Sequence, residues 1–457
     1  MRKLACWMAA AGLVHAQGGA QGGGLTIGQA VESALRSYPA IQVTQEQMNA
    51  AAAGIDLART AYLPRVDALA QANRATRNNV FGLLLPQSVI PSMSGPVIGS
   101  NNLGTAWGSA VGVLVSWEPF DFGLRQANVD TARSTRAQFE ATLKRTRFDV
   151  AVASTDAYLT MAAAQETVRA AQAGLERAQT VARTIHALVD SELRPGADAA
   201  RADAETAAAR TQLIQAEQAV EVARASVAQF TGMEPAGIAL SAPRLRELPP
   251  ERKPAPLDPA AAPAVQEQNA VIEQARAQLH ALERSYFPRF YLQGSAYARG
   301  TGAEVNGTNL GGLNGLAPTW QNYALGFTVQ FPVMDKAAIE AREAAQSATV
   351  RAQTARAQQI ATELRAQWNA AVARLDGARR VAANTPVQVA AARAAVEQAT
   401  ARYQAGLGVI DEVAEAERLL TQAEIDDALA RLGVWRGLLE VAAAAGDIQP
   451  FLAEVGQ

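Results

Sequence analysis

This sequence predicts a mixed α and β fold in which the strands of an outer-membrane β-barrel are continued by very long helices. Three observations carry that expectation. Four short stretches recur in the same order at offsets of 224 and then 214 residues, so the chain holds a duplicated unit. Each copy contains an alanine-rich helical stretch far beyond the average helix of about 11–12 residues. Ahead of each long stretch lie segments that alternate large apolar residues with small or polar ones, the pattern of a membrane-barrel strand.

Composition narrows the functional classes. Of 457 residues, 49% are hydrophobic and only 5% aromatic, with much of the apolar share being alanine. A net charge of −2 excludes a basic nucleic-acid-binding surface and a highly charged disordered chain. One cysteine, Cys6, excludes a disulfide framework and any multi-cysteine metal or iron–sulfur site. Phosphate-loop, His-Glu-x-x-His and Gly-x-Ser-x-Gly patterns are all missing from the sequence. His186 and His280 lie too far apart to suggest a metal pair on one helix. Neither catalysis nor a cofactor is expected.

Taken in order, 1–16 reads as an export signal: basic Arg2 and Lys3, an apolar stretch from Leu4 to Val14, and a cleavage position after Ala16. The apolar run before Cys6 is short for a lipoprotein signal. Cleavage would remove Cys6 and leave 39 basic against 43 acidic residues. Residues 17–38 form a glycine-rich lead-in. The first repeat, 39–242, opens with a helix that Pro64 ends, followed by an alternating strand from Arg65 to Arg74. The returning strand sets Trp107, Val111, Val113, Val115 and Trp117 on one face. Phe122 to Leu188 contains no proline and is read as one helix, followed by a turn at Arg194-Pro195-Gly196 and a return helix, Asp198–Phe230. Residues 243–262 form a proline-rich linker without regular structure.

The second repeat, 263–448, reproduces this order, and 449–457 is a C-terminal tail. Pro263-Ala264-Val265-Gln266 echoes Pro39-Ala40-Ile41-Gln42, and Ser285-Tyr286-Phe287-Pro288-Arg289 echoes Ala61-Tyr62-Leu63-Pro64-Arg65. Val329 to Asp335 echoes Val115 to Asp121, and Ala445-Gly446 echoes Thr231-Gly232. Tyr323, Leu325, Phe327, Val329 and Phe331 form the large apolar face of its strand. Its long helix, Lys336 to Gln404, contains Pro386, which is expected to kink or break it. Asp411–Ala445 is the return helix.

Nothing in the chain offers the 18 or more consecutive apolar residues of a transmembrane helix. The alternating segments instead place Trp107, Val111, Val113, Val115, Leu325, Phe327 and Val329 toward lipid, with small and polar residues toward water. An amphipathic hairpin on a soluble core is the competing reading. Four strands cannot close a barrel around their own side chains, and an open edge in lipid leaves unpaired backbone groups. Closure therefore requires several identical chains around one axis.

Tyr62-Leu63-Pro64, Trp117-Glu118-Pro119-Phe120-Asp121-Phe122-Gly123 and Tyr286-Phe287-Pro288, with Tyr403-Gln404-Ala405-Gly406 and Ala416-Glu417-Arg418-Leu419-Leu420, occur in this order. With these motifs the mature chain resembles the TolC-like outer-membrane efflux family. The second copy departs from it, with Val333-Met334-Asp335-Lys336 where the family usually has Phe-Asp-x-Gly. The resemblance implies a homotrimer whose twelve-stranded barrel in outer-membrane lipid continues as a twelve-helix periplasmic tunnel, the linker lying at its equator. It implies a passive duct that receives substrates from an inner-membrane transporter through a periplasmic adaptor (membrane fusion) protein. The alternatives are a duct for type I protein secretion and a soluble periplasmic coiled-coil adaptor or scaffold.

The resemblance also implies an acidic aperture near the helix tips. Its matching positions are Glu412 and Glu415, with Tyr403 and Gly406 across the turn and Asp198 after the first tip. From the residues alone, the glutamates also suit a solvated helix face, and Asp198 suits an N-cap.

Overall fold

A computed structural model describes residues 24–76, 104–304 and 308–456. The expected signal peptide, the glycine run after it and nearly all of the glycine- and asparagine-rich stretch 78–104, which reads as an exposed loop between strands, lie outside the described residues. Contacts divide the chain into two compact units: Met1–Tyr38, Asp149–Pro256 and Trp368–Gln457 form one, and Pro39–Phe148 with Leu257–Gln367 form the other. Each unit draws on both sequence repeats, so the boundaries of the duplication are not boundaries of packing.

Before the first compact pairings comes α1 (Ile27–Ser37), inside the segment expected to be a lead-in. Its start is a capping box. The Gln29 N–H donates to Thr26 Oγ1 at 3.3 Å, and the Thr26 N–H donates to Gln29 Oε1 at 3.0 Å. Ile27, Ala30, Val31 and Ala34 recur at helical spacing and are buried. The remaining elements are α2 (Pro39–Thr60), β1 (Arg65–Thr76), β2 (Thr105–Phe120), α3 (Leu124–Asp190), α4 (Gly196–Thr231), α5 (Pro263–Arg284), β3 (Arg289–Thr301), β4 (Trp320–Gln330), α6 (Lys336–Gln404), α7 (Ile410–Ala445) and α8 (Gln449–Val455). The last of these forms in the expected tail.

In the strand-bearing unit, one antiparallel sheet has the order β1-β2-β3-β4. The central pairing, β2 with β3, joins the two repeats. Ala68, Val113, Ala296 and Tyr323 lie directly opposite one another across the sheet, and so share a face. Leu69, Gly112, Tyr297 and Asn322 occupy the other. In these rows Val113 and Tyr323 flank Ala296 on one face, and Leu69 and Tyr297 flank Gly112 on the other. A Cβ on Gly112 would stand 2.3 Å from Tyr297 Cβ. The register slips between Trp117 and Phe120, where Pro119 has no N–H to give.

In the other unit, Leu25 pairs in parallel with Leu240. The Tyr158 hydroxyl lies between Leu25 O at 2.9 Å and Ser241 O at 3.0 Å, and burial pushes its pKa well above the ordinary tyrosine value. The proline-rich linker is more ordered than its composition suggests, with short 3-10 turns at Pro243–Arg246 and Pro259–Ala261. Leu245 is buried, and fully buried Trp435 donates from Nε1 to Glu247 O at 2.9 Å. This fits the stiffness of proline-rich chains: their backbone is already extended and costs less entropy to order.

The long helices form as expected. α3 has 67 residues and α6 has 69. α6 runs unbroken through Pro386. Beside it, buried Thr385 donates to Asp427 Oδ1 at 2.8 Å and ties this turn to α7. Alanine and glycine are plentiful because helices approach closely. A Cβ on Gly174 of α3 would lie 2.7 Å from Thr421 Oγ1 of α7. Among the described residues no helix is long and apolar enough to cross a membrane.

Candidate functional site

Two turns at the ends of the long helices close in the same way, 214 residues apart. After α3, Glu192 takes a left-handed φ of 59° and the Leu193 N–H donates to Leu188 O at 2.9 Å. After α6, Gly406 has φ 77° and the Leu407 N–H donates to Arg402 O at 2.9 Å. Both are Schellman closures, which satisfy carbonyls left open at a helix end. Left-handed geometry suits Gly406, which carries no Cβ. In the first turn it falls on Glu192, not on Gly196, which starts α4.

Tyr403, in the last turn of α6, is buried against Ala182, Ile185, Ala202, Ile410 and Val413. Its hydroxyl donates to Asp198 Oδ2 at 2.8 Å. The Arg194 guanidinium stacks over its ring at 4.3 Å and donates to its carbonyl. Burial first, then the bond to Asp198, pushes the phenol up to about 12. Asp198 is therefore not an N-cap. Pro195 holds that position without a side-chain bond, and Asp198 sits in the first turn of α4 with its carboxylate on Tyr403.

Glu412 and Glu415 lie in the first turns of α7, and each has an arginine beside it. Arg402 Nε is 3.7 Å from Glu412 Oε2, and Arg418 Nη2 is 2.6 Å from Glu415 Oε2. Gly408 leaves room for the first pair, since a Cβ there would meet Glu412 Oε2 at 3.0 Å and Arg402 Cβ at 3.3 Å. Asp411 contacts Arg201 Nε at 3.1 Å. The tips thus bring Tyr403, Asp198 and Arg194 together in one contact, while Glu412 and Glu415 stand in separate ion pairs.

Sequence reasoning missed these arginines. Arg418 carries a legible signal, three residues after Glu415 on the same helix face. Arg194 and Arg402 reach their partners only through the turns. A deeper cluster was also missed: Arg177 of α3 holds Glu417 and Glu424 of α7, each at 3.0 Å. Burial raises the Glu417 pKa, against the pull of Arg177. Among the described residues no group of three or more side chains is arranged to hold a metal ion.

On the sheet, Val111, Val113, Val115, Leu325, Phe327 and Val329 are exposed along one face, Leu325 at 78%. Trp107 shares their face, half-buried beneath the Arg74 guanidinium at 5.6 Å. Aromatic rings gather where strands meet helices: Phe122 lies 4.7 Å from Phe120 and 5.6 Å from Phe287.

Comparison with known proteins places this geometry. The chain is similar in fold to the outer-membrane channel OprN, at 21% identity and TM-score 0.71, with 92% of this chain and 89% of that one covered. The Campylobacter jejuni CmeC outer membrane channel gives 15% identity and TM-score 0.72, covering 92% and 85% of the two chains. The open state of the Neisseria gonorrhoeae MtrE outer membrane channel gives 19% identity and TM-score 0.71, covering 92% and 89%. No curated protein sequence matches the chain. The fold is therefore the one that these outer-membrane channels share, a barrel continued by a helical tunnel. The outer membrane efflux protein model matches residues 30–233 and 260–447, most of the chain, and the chain belongs to that family.

Proposed function

We propose that three copies of this chain close one twelve-stranded barrel and form the outer-membrane duct of a tripartite efflux pump. In this reading an inner-membrane transporter delivers substrates through a periplasmic adaptor, and the duct gives them passive exit. The observation that carries it is the four-stranded sheet, whose outer strands β1 and β4 each pair on one side only. Exposed apolar rows cover the lipid side, and a bilayer tolerates no unpaired sheet edge.

In the same reading, Glu412 and Glu415 line the periplasmic aperture, with Tyr403, Gly406 and Asp198 shaping the turns behind them. Threefold symmetry brings six carboxylates around one axis, and acidic rings of this kind select cations. Arg402 and Arg418 temper that field.

Mass measurement in detergent tests the assembly directly. A stable, folded monomer would overturn it. Placing arginine on the lipid side, as Val113→Arg or Val329→Arg, should cost about 2–4 kcal/mol per site at mid-bilayer depth. Normal assembly of both variants would remove these residues from the lipid face. In planar bilayers, Glu412→Gln with Glu415→Gln should lose cation preference and block by divalent cations from the helix side. Unchanged selectivity would return both glutamates to ordinary surface charges.

A further inference from the structure

The water-facing side of the sheet is not electrically uniform along its length. Near the helices its charges balance: Arg65 Nε pairs with Asp67 at 2.9 Å, and Arg289 lies within electrostatic reach of Glu118. Toward the far end the balance is lost. Arg299 faces Ala110 on β2 and Trp320 on β4, and Ala110 faces Gln71 on β1. This row lies opposite in face to Val111 and its directly paired neighbour Ala298. Arg299 is half-buried and has no hydrogen-bond or ion-pair partner among the described residues. It stands ten residues along β3 from Arg289, roughly 33 Å of extended strand away.

The neighbouring wall is shaped to leave this side chain projecting. On β2 the water-facing positions at this level are Gly108, Ala110 and Gly112, so that strand sets no bulky side chain beside Arg299. No acid faces Arg299 from β1, β2 or β4, whose paired rows at this level hold Gln71, Asn73, Asn322 and Trp320. Among the described residues no carboxylate pairs with this arginine, and its side chain contributes no ion pair to the sheet. Its guanidinium remains available to anions passing the wall.

We infer that Arg299 is an anion-selecting position on the exit half of the duct, where threefold symmetry would set three guanidinium groups around the lumen. It would recognise small solutes bearing carboxylate, sulfate or phosphate groups. The inference rests on the trimeric-duct reading. It adds a positive level inside the barrel, distinct from the acidic residues at the helix tips. A solute passing the sheet then meets a positive level that favours anionic groups.

Citrate, a multivalent anion, is the probe. In planar bilayers, citrate added on the side of the strand loops should block the full-length mature protein. Arg299→Gln should need roughly tenfold more citrate for the same block, while Arg299→Lys should keep block near the original level, since rings of like charge govern pore selectivity. Equal block of the original protein and Arg299→Gln would overturn the inference. Arg299→Cys changes the charge after assembly, because Cys6 is the only other cysteine and lies in the signal segment. Labelling with a positively charged thiosulfonate should restore citrate block, and labelling with a negatively charged one should abolish it. Labels of opposite charge acting alike would also overturn it. Failure of the original protein to conduct would overturn the duct reading instead, a different result from conduction without block.

Discussion

The two strand-to-helix junctions of the chain descend from the same repeated segment and fold differently. After β2, Asp121 accepts from the Gly123 N–H at 3.2 Å and the Arg125 N–H at 2.6 Å, and pairs with Arg125 Nε at 3.1 Å. Both side chains of this pair are buried. Phe122 and Gly123 take left-handed φ values of 51° and 94° to make the corner. At the matching positions, 214 residues later, Asp335 is followed by Lys336, Ala337 and, in place of Arg125, Ile339. There the chain enters α6 through a 3-10 turn, Val333–Asp335, and Lys336 is already right-handed helix. Without a glycine the left-handed corner is strained, and without an arginine at the fourth position the aspartate has no buried partner. One junction is a capped and locked corner; the other is a plain helical start with Met334 fully open to its surroundings.

That contrast sets the sizes of mutational effects. Asp121→Ala strands Arg125 in a buried site and should destabilise the protein by about 3–5 kcal/mol, whereas Asp335→Ala should cost no more than about 1 kcal/mol. Urea unfolding of the two variants side by side measures this difference, and equal losses would mean that the Asp121–Arg125 pair does not lock the corner. Next comes the backbone. Gly123→Ala should cost about 1–2 kcal/mol because alanine resists the left-handed corner, while Ala337→Gly should cost under about 1 kcal/mol. Nothing lies within 4 Å of a Cβ on Gly123, so strain alone decides that result.

The tip turns offer the same test with opposite signs. Gly406→Ala should lower stability by about 1 kcal/mol, and Glu192→Gly should raise it by up to about 1 kcal/mol, since Glu192 already bears the left-handed strain. Thermal unfolding of both variants reads the sign. Tyr403 differs from Val189, its counterpart in the first copy, by adding a hydroxyl bonded to Asp198. Its pKa is raised in the folded state, from 10.0 to about 12. The Tyr403 contribution is therefore complete below pH 10 and lost as pH rises from 10 toward about 12. Tyr403→Phe should remove that part of the alkaline dependence, seen as a flatter stability profile in this range. The smallest effect expected is at His186, whose exposed imidazole is held above its usual pKa by Asp203 Oδ1 at 2.9 Å. Asp203→Asn should return its NMR titration toward the ordinary histidine value.

Several of these contrasts are legible in the residues. The missing glycine and arginine of the second junction can be read at the matching positions, whereas α1 forms inside a segment read as a lead-in although Thr26 and Gln29 have the spacing of a capping box. Others are not. Glu192 and Gly196 both stand in the first tip turn, and local preference alone favours the glycine for the left-handed residue. The helix instead runs to Asp190, which sets the closure at Glu192. Asp198 reads as an N-cap from its neighbours, yet its partner is a tyrosine 205 residues away.

The chain's periodicity and repeats by themselves determine a duplicated unit, strands of one amphipathic pattern, and two helices of unusual length. These are one-dimensional signals, because a helix or strand imposes its period on the residues that build it. The pairing of β2 with β3 across the repeats, the ordered path of the proline-rich linker and the setting of Arg194 on Tyr403 were decided only by the tertiary structure. Each depends on distances between residues remote in the chain, and no local preference encodes such a distance.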